Sequence, residues 1–214
     1  MPTNKKLLID QTLVEFLEET AGDSPVPGGG SIAAQSGASA AALTEMVANL
    51  TIGKKNYEKV YEEMIEIAAK ASRLRTQLLE YVDKDADSYA KVMMAYKLPK
   101  DTKTDQENRT REIQIALELA ATVPLEVARK SRKVIDLAIQ VVKKGNKNAI
   151  TDGAIAGMLA RTAALSALYN VKINLSSIKD AAFVSEKAKE LSALKAEVIH
   201  AEKEIFEILE NQGL

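Results

Sequence analysis

The sequence predicts an all-α protein, an elongated antiparallel bundle of long helices. Apolar residues recur at helical spacing almost from one end of the chain to the other. Aromatic residues make up only 4% of the chain, and no stretch alternates β-branched and polar residues as a strand does. The chain has no internal repeat and no low-complexity linker, so residues 1–214 are predicted to form one domain.

The predicted helices are bounded by glycines and prolines that end each periodic stretch. The fourth contains Pro124, which removes one backbone hydrogen bond and is expected to kink it. The expected helices span 11–20 (with Leu13, Phe16 and Leu17 on one face), 31–52, 57–98, a stretch that ends at residue 144 before Gly145, 151–169, and a last stretch that begins near residue 180.

Composition excludes several function classes. Lys and Arg total 29 against 30 for Asp and Glu, so the chain has no basic field for nucleic acid. It has no cysteine and one histidine, His200, which argues against disulfides, thiol catalysis, a His/Cys zinc site and a histidine base. The first residues show no signal-peptide pattern. The most membrane-like stretch, 31–52, is interrupted by polar residues, so we expect a soluble protein in the cytoplasm with no membrane partner.

The third helix contains the first anomaly. Its apolar positions alternate spacings of four and three, as in a coiled-coil seam, and Asp85 lies on that seam between Val82 and Tyr89. A carboxylate buried there is costly unless it is paired, and burial raises its pKa. The alternative is that the seam has reached solvent, since Asp83 and Asp87 flank it. We expect these two to be surface residues.

The second anomaly is the segment "PVPGGGS" before the second helix. It matches neither a P-loop nor a dinucleotide-binding fingerprint. Glycines at 28, 29 and 30 would let a ligand approach the main chain, and Ser31 is expected to cap the helix. The segment is either an ordinary loop or a nest of N–H groups for a carbonyl or carboxylate oxygen.

Three polar clusters stand at predicted helix ends. Lys54 and Lys55 follow the second helix, and either complement its dipole or hold a ligand that carries several carboxylates. The segment "GNKNAITDG" is either an ordinary turn and helix start, with Thr151 or Asp152 as the cap, or a binding site where amides and a carboxylate gather at one helix end. Asn170 and Asn174 are expected to form a polar helix end.

Taken in order, the segments "PVPGGGSIAA", "LTIGKK", "VDKDADSYAKVMMAYKLPK", "ATVPLEVA", "GNKN…TDGAIA" and "YNVKIN" resemble the cyclodeaminase domain of formiminotransferase–cyclodeaminase, from about residue 13 to residue 178. That family also includes stand-alone bacterial methenyltetrahydrofolate cyclohydrolases. The resemblance implies an all-helical homodimer that acts on tetrahydrofolate without metal or nicotinamide cofactor.

The resemblance also implies residue roles. The family's catalytic aspartate falls on Asp85, which the seam had already singled out. Folate-binding roles are implied or expected for Pro27, Gly28, Gly29, Gly30, Ser31, Asn146, Asn148 and Asp152, with Lys54 and Lys55 at a polyglutamate tail.

The expected reaction is the conversion of 5-formiminotetrahydrofolate to 5,10-methenyltetrahydrofolate with release of ammonia, as in histidine degradation. Two alternatives stay open at this point: a methenyltetrahydrofolate cyclohydrolase, and a non-catalytic folate-binding helical dimer. The formiminotransferase half of the bifunctional enzyme is absent from the sequence, so a separate formiminotransferase is a candidate partner.

Overall fold

The computed structural model describes residues 6–213, and every regular element within that range is helical. The all-α prediction is confirmed, whereas the homodimer and the kink at Pro124 stay predictions. Three short 3₁₀ turns, at Leu8–Asp10, Glu58–Val60 and Lys147–Ala149, accompany the long helices. The α-helices are α1 (Leu13–Thr20), α2 (Gly29–Asn49), α3 (Tyr61–Tyr96), α4 (Lys103–Lys144), α5 (Ile150–Leu175) and α6 (Ala181–Glu210).

Helix α2 packs against α3, α4 and α5, and its small side chains let these neighbours come close. Its alanines at 34, 40 and 41 are fully buried. Gly37 faces α3 and α4 so closely that a Cβ there would lie 2.8 Å from the Ser131 Oγ and 3.2 Å from Leu78. Larger residues on α2 would therefore push the neighbouring helices apart.

The structure corrects the predicted starts of two helices. Helix α2 begins at Gly29 with Gly28 as its N-cap, so Ser31 is not the cap. The Ser31 hydroxyl instead donates to the Val82 carbonyl of α3. Helix α5 begins at Ile150, and Asn146 caps the 3₁₀ turn before it, so neither Thr151 nor Asp152 caps α5.

The buried faces of α1 and α3 also differ from the predicted ones. Phe16 is buried, but Leu13 and Leu17 of α1 are at least half exposed. The predicted seam of α3 is buried or partly buried from Met64 to Val82 and buried again at Val92. Tyr89 and Tyr96, also predicted to face inward, are exposed, and Ser88 and Ala95 are buried instead. The N-terminus of α2 lies against Asp85, because α2 begins at Gly29. The part of α3 after Asp85 therefore extends beyond α2, and its buried residues face α4 instead.

Helix α5 is the central apolar helix of the bundle, in contact with α2, α4 and α6. The stretch Lys147–Leu175 has the length and apolar composition of a membrane span, and half of its most apolar window is buried inside the fold. The sequence had singled out 31–52 as the most membrane-like stretch instead. Packing between three helices accounts for the composition of α5.

Leu78 tests the packing between α2 and α3. It is fully buried, and it lies against Gly37. We expect Leu78→Ala to lower the free energy of unfolding by about 2–5 kcal/mol, because it removes buried methyl groups and leaves a cavity. Urea denaturation would measure the change, with Met94→Ala as control, since Met94 is 59% exposed on the same helix. Equal losses in the two variants would contradict this packing.

Candidate functional site

A cleft of about 280 Å³ lies where the N-terminus of α2 meets α3, the middle of α4 and the last turns of α5. Its volume is close to the lower end of the range for small-molecule sites, about 300 Å³. Four of the six helices contribute to it, so its shape depends on how α2, α3, α4 and α5 pack together. The lining residues are Pro25, Val26, Gly28, Gly29, Gly30, Asp85, Ser88, Tyr89, Val92, Ala120, Asn170, Ile173 and Asn174.

Asp85 lies directly against the backbone of the glycine segment. A Cβ added to Gly30 would lie 2.5 Å or less from the Oδ1, Cγ and Oδ2 atoms of the carboxyl group. Only glycine leaves room for the carboxyl there. The glycine segment and the seam aspartate, about 55 positions apart in the sequence, therefore form one site.

Burial raises the pKa of Asp85 above its ordinary value, since a low-dielectric surrounding disfavours the charged carboxylate. Hydrogen bonds from the Ser31 side chain and backbone oppose part of that rise. The Ser31 N–H is available because the first N–H groups of a helix have no carbonyl partner within it. Asp85 is thus partly buried, but hydrogen bonds from Ser31 still stabilise its ionised form.

Ser31 and Pro27 are both buried and do not line the cleft. The Ser31 hydroxyl donates to the Val82 carbonyl at 2.8 Å and lies 3.4 Å from the Asp85 Oδ2. The structure therefore places Ser31 behind the carboxylate, where it positions Asp85. Gly28, Gly29 and Gly30 do line the cleft, as expected for a binding segment.

The two flanking aspartates differ from Asp85. Asp87 is exposed, as predicted. Asp83 is partly buried, and its carboxylate accepts from the backbone N–H groups of Leu8 at 2.7 Å and Ile9 at 3.3 Å. Asp83 thus fixes the segment before α1 to α3, which is a structural role. His200 is exposed on α6 and lies outside the cleft.

Sequence reasoning missed Asn170 and Asn174 as residues of the cleft. It ended the fifth helix at residue 169, which made both asparagines a polar helix end. In the structure α5 continues to Leu175, and both side chains line the cleft. Their spacing of four would have been a signal, because residues four apart share one face of a helix.

The remaining predicted binding residues lie at the other end of α2. Its 21 residues span about 30 Å between the glycine segment and Lys54 and Lys55, which are exposed. Asn146 is buried and donates to the Leu50 carbonyl at 3.0 Å, which connects the α4–α5 turn to α2. The structure does not bring this cluster, which includes Asn148 and Asp152, into the cleft of the same chain.

Between residues 6 and 213, no group of three or more His, Cys, Asp or Glu side chains is placed to hold a metal ion. Two of the residues that line the cleft have titratable side chains, Asp85 and Tyr89. The arrangement can exchange protons with a bound molecule through one carboxyl group.

The fold and the cleft define an all-helical protein with a single partly buried carboxylate at a glycine-rich helix N-terminus. The family model described as formiminotransferase-cyclodeaminase matches residues 12–193. The chain belongs to this family, which confirms the resemblance.

Individual relatives support the same assignment. The methenyltetrahydrofolate cyclohydrolase of Methylorubrum extorquens is 41% identical over 203 residues, which cover 95% of this chain and 98% of that protein. The formimidoyltransferase-cyclodeaminase of Rattus norvegicus is 32% identical over 89% of this chain, and the match covers 35% of that longer protein. The crystal structure of formiminotetrahydrofolate cyclodeaminase from Thermotoga maritima superposes with a TM-score of 0.86 at 33% identity, covering 95% of this chain and 98% of that one.

The close approach of Gly30 and Asp85 can be tested by adding one methyl group. We expect Gly30→Ala to lower the free energy of unfolding by about 1–3 kcal/mol, because the carboxyl group must move. Gly29→Ala is the matched control, since its Cβ would meet nothing closer than the Asn170 Nδ2 at 3.7 Å. We expect the control to be neutral or to gain up to about 1 kcal/mol from helix propensity. Equal urea midpoints for the two variants would rule out the contact.

The raised pKa of Asp85 predicts a pH-dependent stability. Between the ordinary aspartate pKa and the raised folded-state value, the folded protein binds more protons than the unfolded chain, so this group's contribution to stability falls as pH rises. We therefore expect Asp85→Asn to be more stable than the unsubstituted protein at pH 7, and the difference to shrink as the pH approaches 4. Thermal unfolding of both proteins from pH 4 to 8 measures it. A difference that grew on acidification would show that the pKa is lowered instead.

Proposed function

We propose that this protein is an enzyme of folate one-carbon metabolism that acts on the carbon between N5 and N10 of tetrahydrofolate, with Asp85 as its acid–base residue. The observation that carries the proposal is the Asp85 carboxyl held against Gly30 in a cleft formed by four helices. Supporting it, relatives that match almost the whole chain are named for reactions at this carbon.

Of the two reactions we favour the cyclohydrolase. The relative with that name is 41% identical and has nearly the same length as this chain. In this reaction a water oxygen bonds to the methenyl carbon while ionised Asp85 accepts a proton from the water. The carbon–N5 bond then breaks, N5 receives a proton, and the formyl group stays on N10. One proton is released to solvent.

The second candidate is the cyclodeaminase that the sequence predicted, and the similarity to the Thermotoga maritima structure favours it. Here N10 attacks the carbon of the protonated formimino group. The N10 proton moves to the departing nitrogen, and ammonia leaves as the carbon–nitrogen bond breaks. A carboxyl group with a raised pKa can move this proton, since it is close to equilibrium between its two forms.

Both reactions involve a cationic amidine, as the substrate of the hydrolysis and as the product of the cyclisation, and an ionised carboxylate beside it stabilises the positive charge. Because the chain's own carboxyl performs the proton transfers, the proposal includes no cofactor. We further propose a cytoplasmic homodimer. In the cyclodeaminase case, it would receive its substrate from a separate formiminotransferase.

The position of Lys54 and Lys55 limits how they could bind the polyglutamate tail of a folate. Lys54 and Lys55 lie about 30 Å from the glycine segment of the same chain, at the far end of α2. If they hold a polyglutamate tail, that tail belongs to a folate bound by the other subunit or is long enough to span the helix. We propose that Lys54 and Lys55 bind a polyglutamate tail in one of these two ways.

Turnover of two substrates by the purified protein tests the function. We expect loss of the methenyl absorbance from 5,10-methenyltetrahydrofolate if it is a cyclohydrolase, and ammonia release from 5-formiminotetrahydrofolate if it is a cyclodeaminase. Asp85→Asn should reduce the observed reaction about 100-fold or more, as is typical when an acid–base residue is lost.

The matched control is Asp87→Asn, an identical chemical change two residues away on an exposed position. It should retain full turnover. Absence of turnover with both substrates would favour the non-catalytic folate-binding alternative. Full activity of a folded Asp85→Asn protein would remove Asp85 from the mechanism.

A further inference from the structure

The two asparagines of α5 lie in the cleft, yet the reactions above do not use them. Asn170 and Asn174 are four residues apart, so they share one face of α5. Both are partly buried and line the cleft that contains Asp85. Asp85 belongs to α3, so the asparagines and the carboxyl group lie on different helices around the same space.

The Asn174 amide is fixed by a contact that depends on Pro124. Its Nδ2 donates to the Ala120 carbonyl at 2.7 Å, across 54 positions of sequence. In an ordinary helix that carbonyl would accept the N–H of residue 124, but proline has none. Pro124, inside α4, therefore leaves the Ala120 carbonyl free for Asn174.

Asn170 is fixed in a parallel way. Its Nδ2 donates to the Ser166 carbonyl at 3.0 Å, one turn earlier in α5. Its amide also lies beside the glycine segment, since the Nδ2 would be 3.7 Å from a Cβ on Gly29. Neither asparagine Oδ1 accepts a hydrogen bond from residues 6–213.

Each amide thus has one N–H committed to a backbone carbonyl, which leaves its Oδ1 and its second N–H for a ligand. A carbonyl acceptor beside an N–H donor complements a cyclic amide, which offers the same pair in reverse. The reduced pterin of a folate contains such an edge, with a ring N–H next to a carbonyl, and further N–H donors around it.

We propose that Asn170 and Asn174 bind the polar edge of the pterin ring and orient it toward Asp85, with Pro124 as the positioning residue for Asn174. The proposal rests on the proposed function, because the ligand class is taken from it. It assigns substrate orientation to α5 and proton transfer to α3.

Binding of 5-formyltetrahydrofolate, a stable reduced folate, tests the proposal by isothermal titration calorimetry. Asn174→Leu and Asn170→Leu keep the side-chain volume but have no hydrogen-bonding groups. We expect each to weaken binding about tenfold, the equivalent of one hydrogen bond that the ligand loses. Asn108→Leu is the control, because Asn108 is exposed on α4 and does not line the cleft.

Pro124→Ala supplies a second measurement. The new N–H at residue 124 can bond to the Ala120 carbonyl and competes with Asn174. We therefore expect a higher KM for the folate substrate, with kcat changed less, in a folded protein. A role of Pro124 confined to helix shape would not give this split between KM and kcat.

The outcomes separate this inference from the proposed function. If the unsubstituted protein binds and converts folate while both leucine variants bind normally, the inference is wrong and the function stands. If it binds without converting either substrate, and the leucine variants lose affinity, the enzymatic function fails and the binding role stands. Failure of the unsubstituted protein both to bind 5-formyltetrahydrofolate and to convert either substrate would overturn both.

Discussion

The contact between the Asp85 carboxyl group and the backbone of Gly30 is the constraint on which the rest of the structure depends. A carboxyl group can reach that position only if the N-terminus of α2 comes very close to α3. Close approach requires small side chains along α2, where the buried residues are mostly alanine, glycine and serine. The composition of the helix behind the glycine segment is therefore a consequence of the site at its end.

The same contact sets the electrostatics of the cleft. Burial works against the Asp85 charge, while the Ser31 side chain and N–H at the start of α2 favour it. These effects oppose each other, which is the condition an acid–base residue needs if it is both to accept and to release a proton. Asp83, two residues earlier, has its carboxylate occupied by the Leu8 and Ile9 N–H groups. The two side chains are chemically identical, but their surroundings differ. Asp83 therefore has a structural role, whereas Asp85 lines the cleft.

Sequence reasoning predicted the parts of the site that follow from periodicity and composition. The heptad spacing of α3 singled out Asp85, and the run of prolines and glycines before α2 was singled out separately as a candidate binding segment. It did not predict the burial of Ser88 and Ala95, because that depends on where α2 begins and α4 becomes the main neighbour. It missed the asparagines of α5 because asparagine commonly ends helices, whereas α4 supplies Asn174 with a carbonyl partner. Contacts between distant helices decided each of these cases.

The two candidate reactions share one carbon and one carboxyl group, so they differ in which nucleophile reaches the carbon. Hydrolysis requires a water molecule beside Asp85. Cyclisation by N10 gives a methenyl product that water destroys, so it requires that water be excluded. The rim of the cleft includes Ile173, which is 68% exposed, and Tyr89, which is 37% exposed. Apolar side chains at this rim exclude water when a bound substrate covers them, and admit it otherwise. Access of water at the rim would therefore distinguish the two proposed reactions, which share the same acid–base residue.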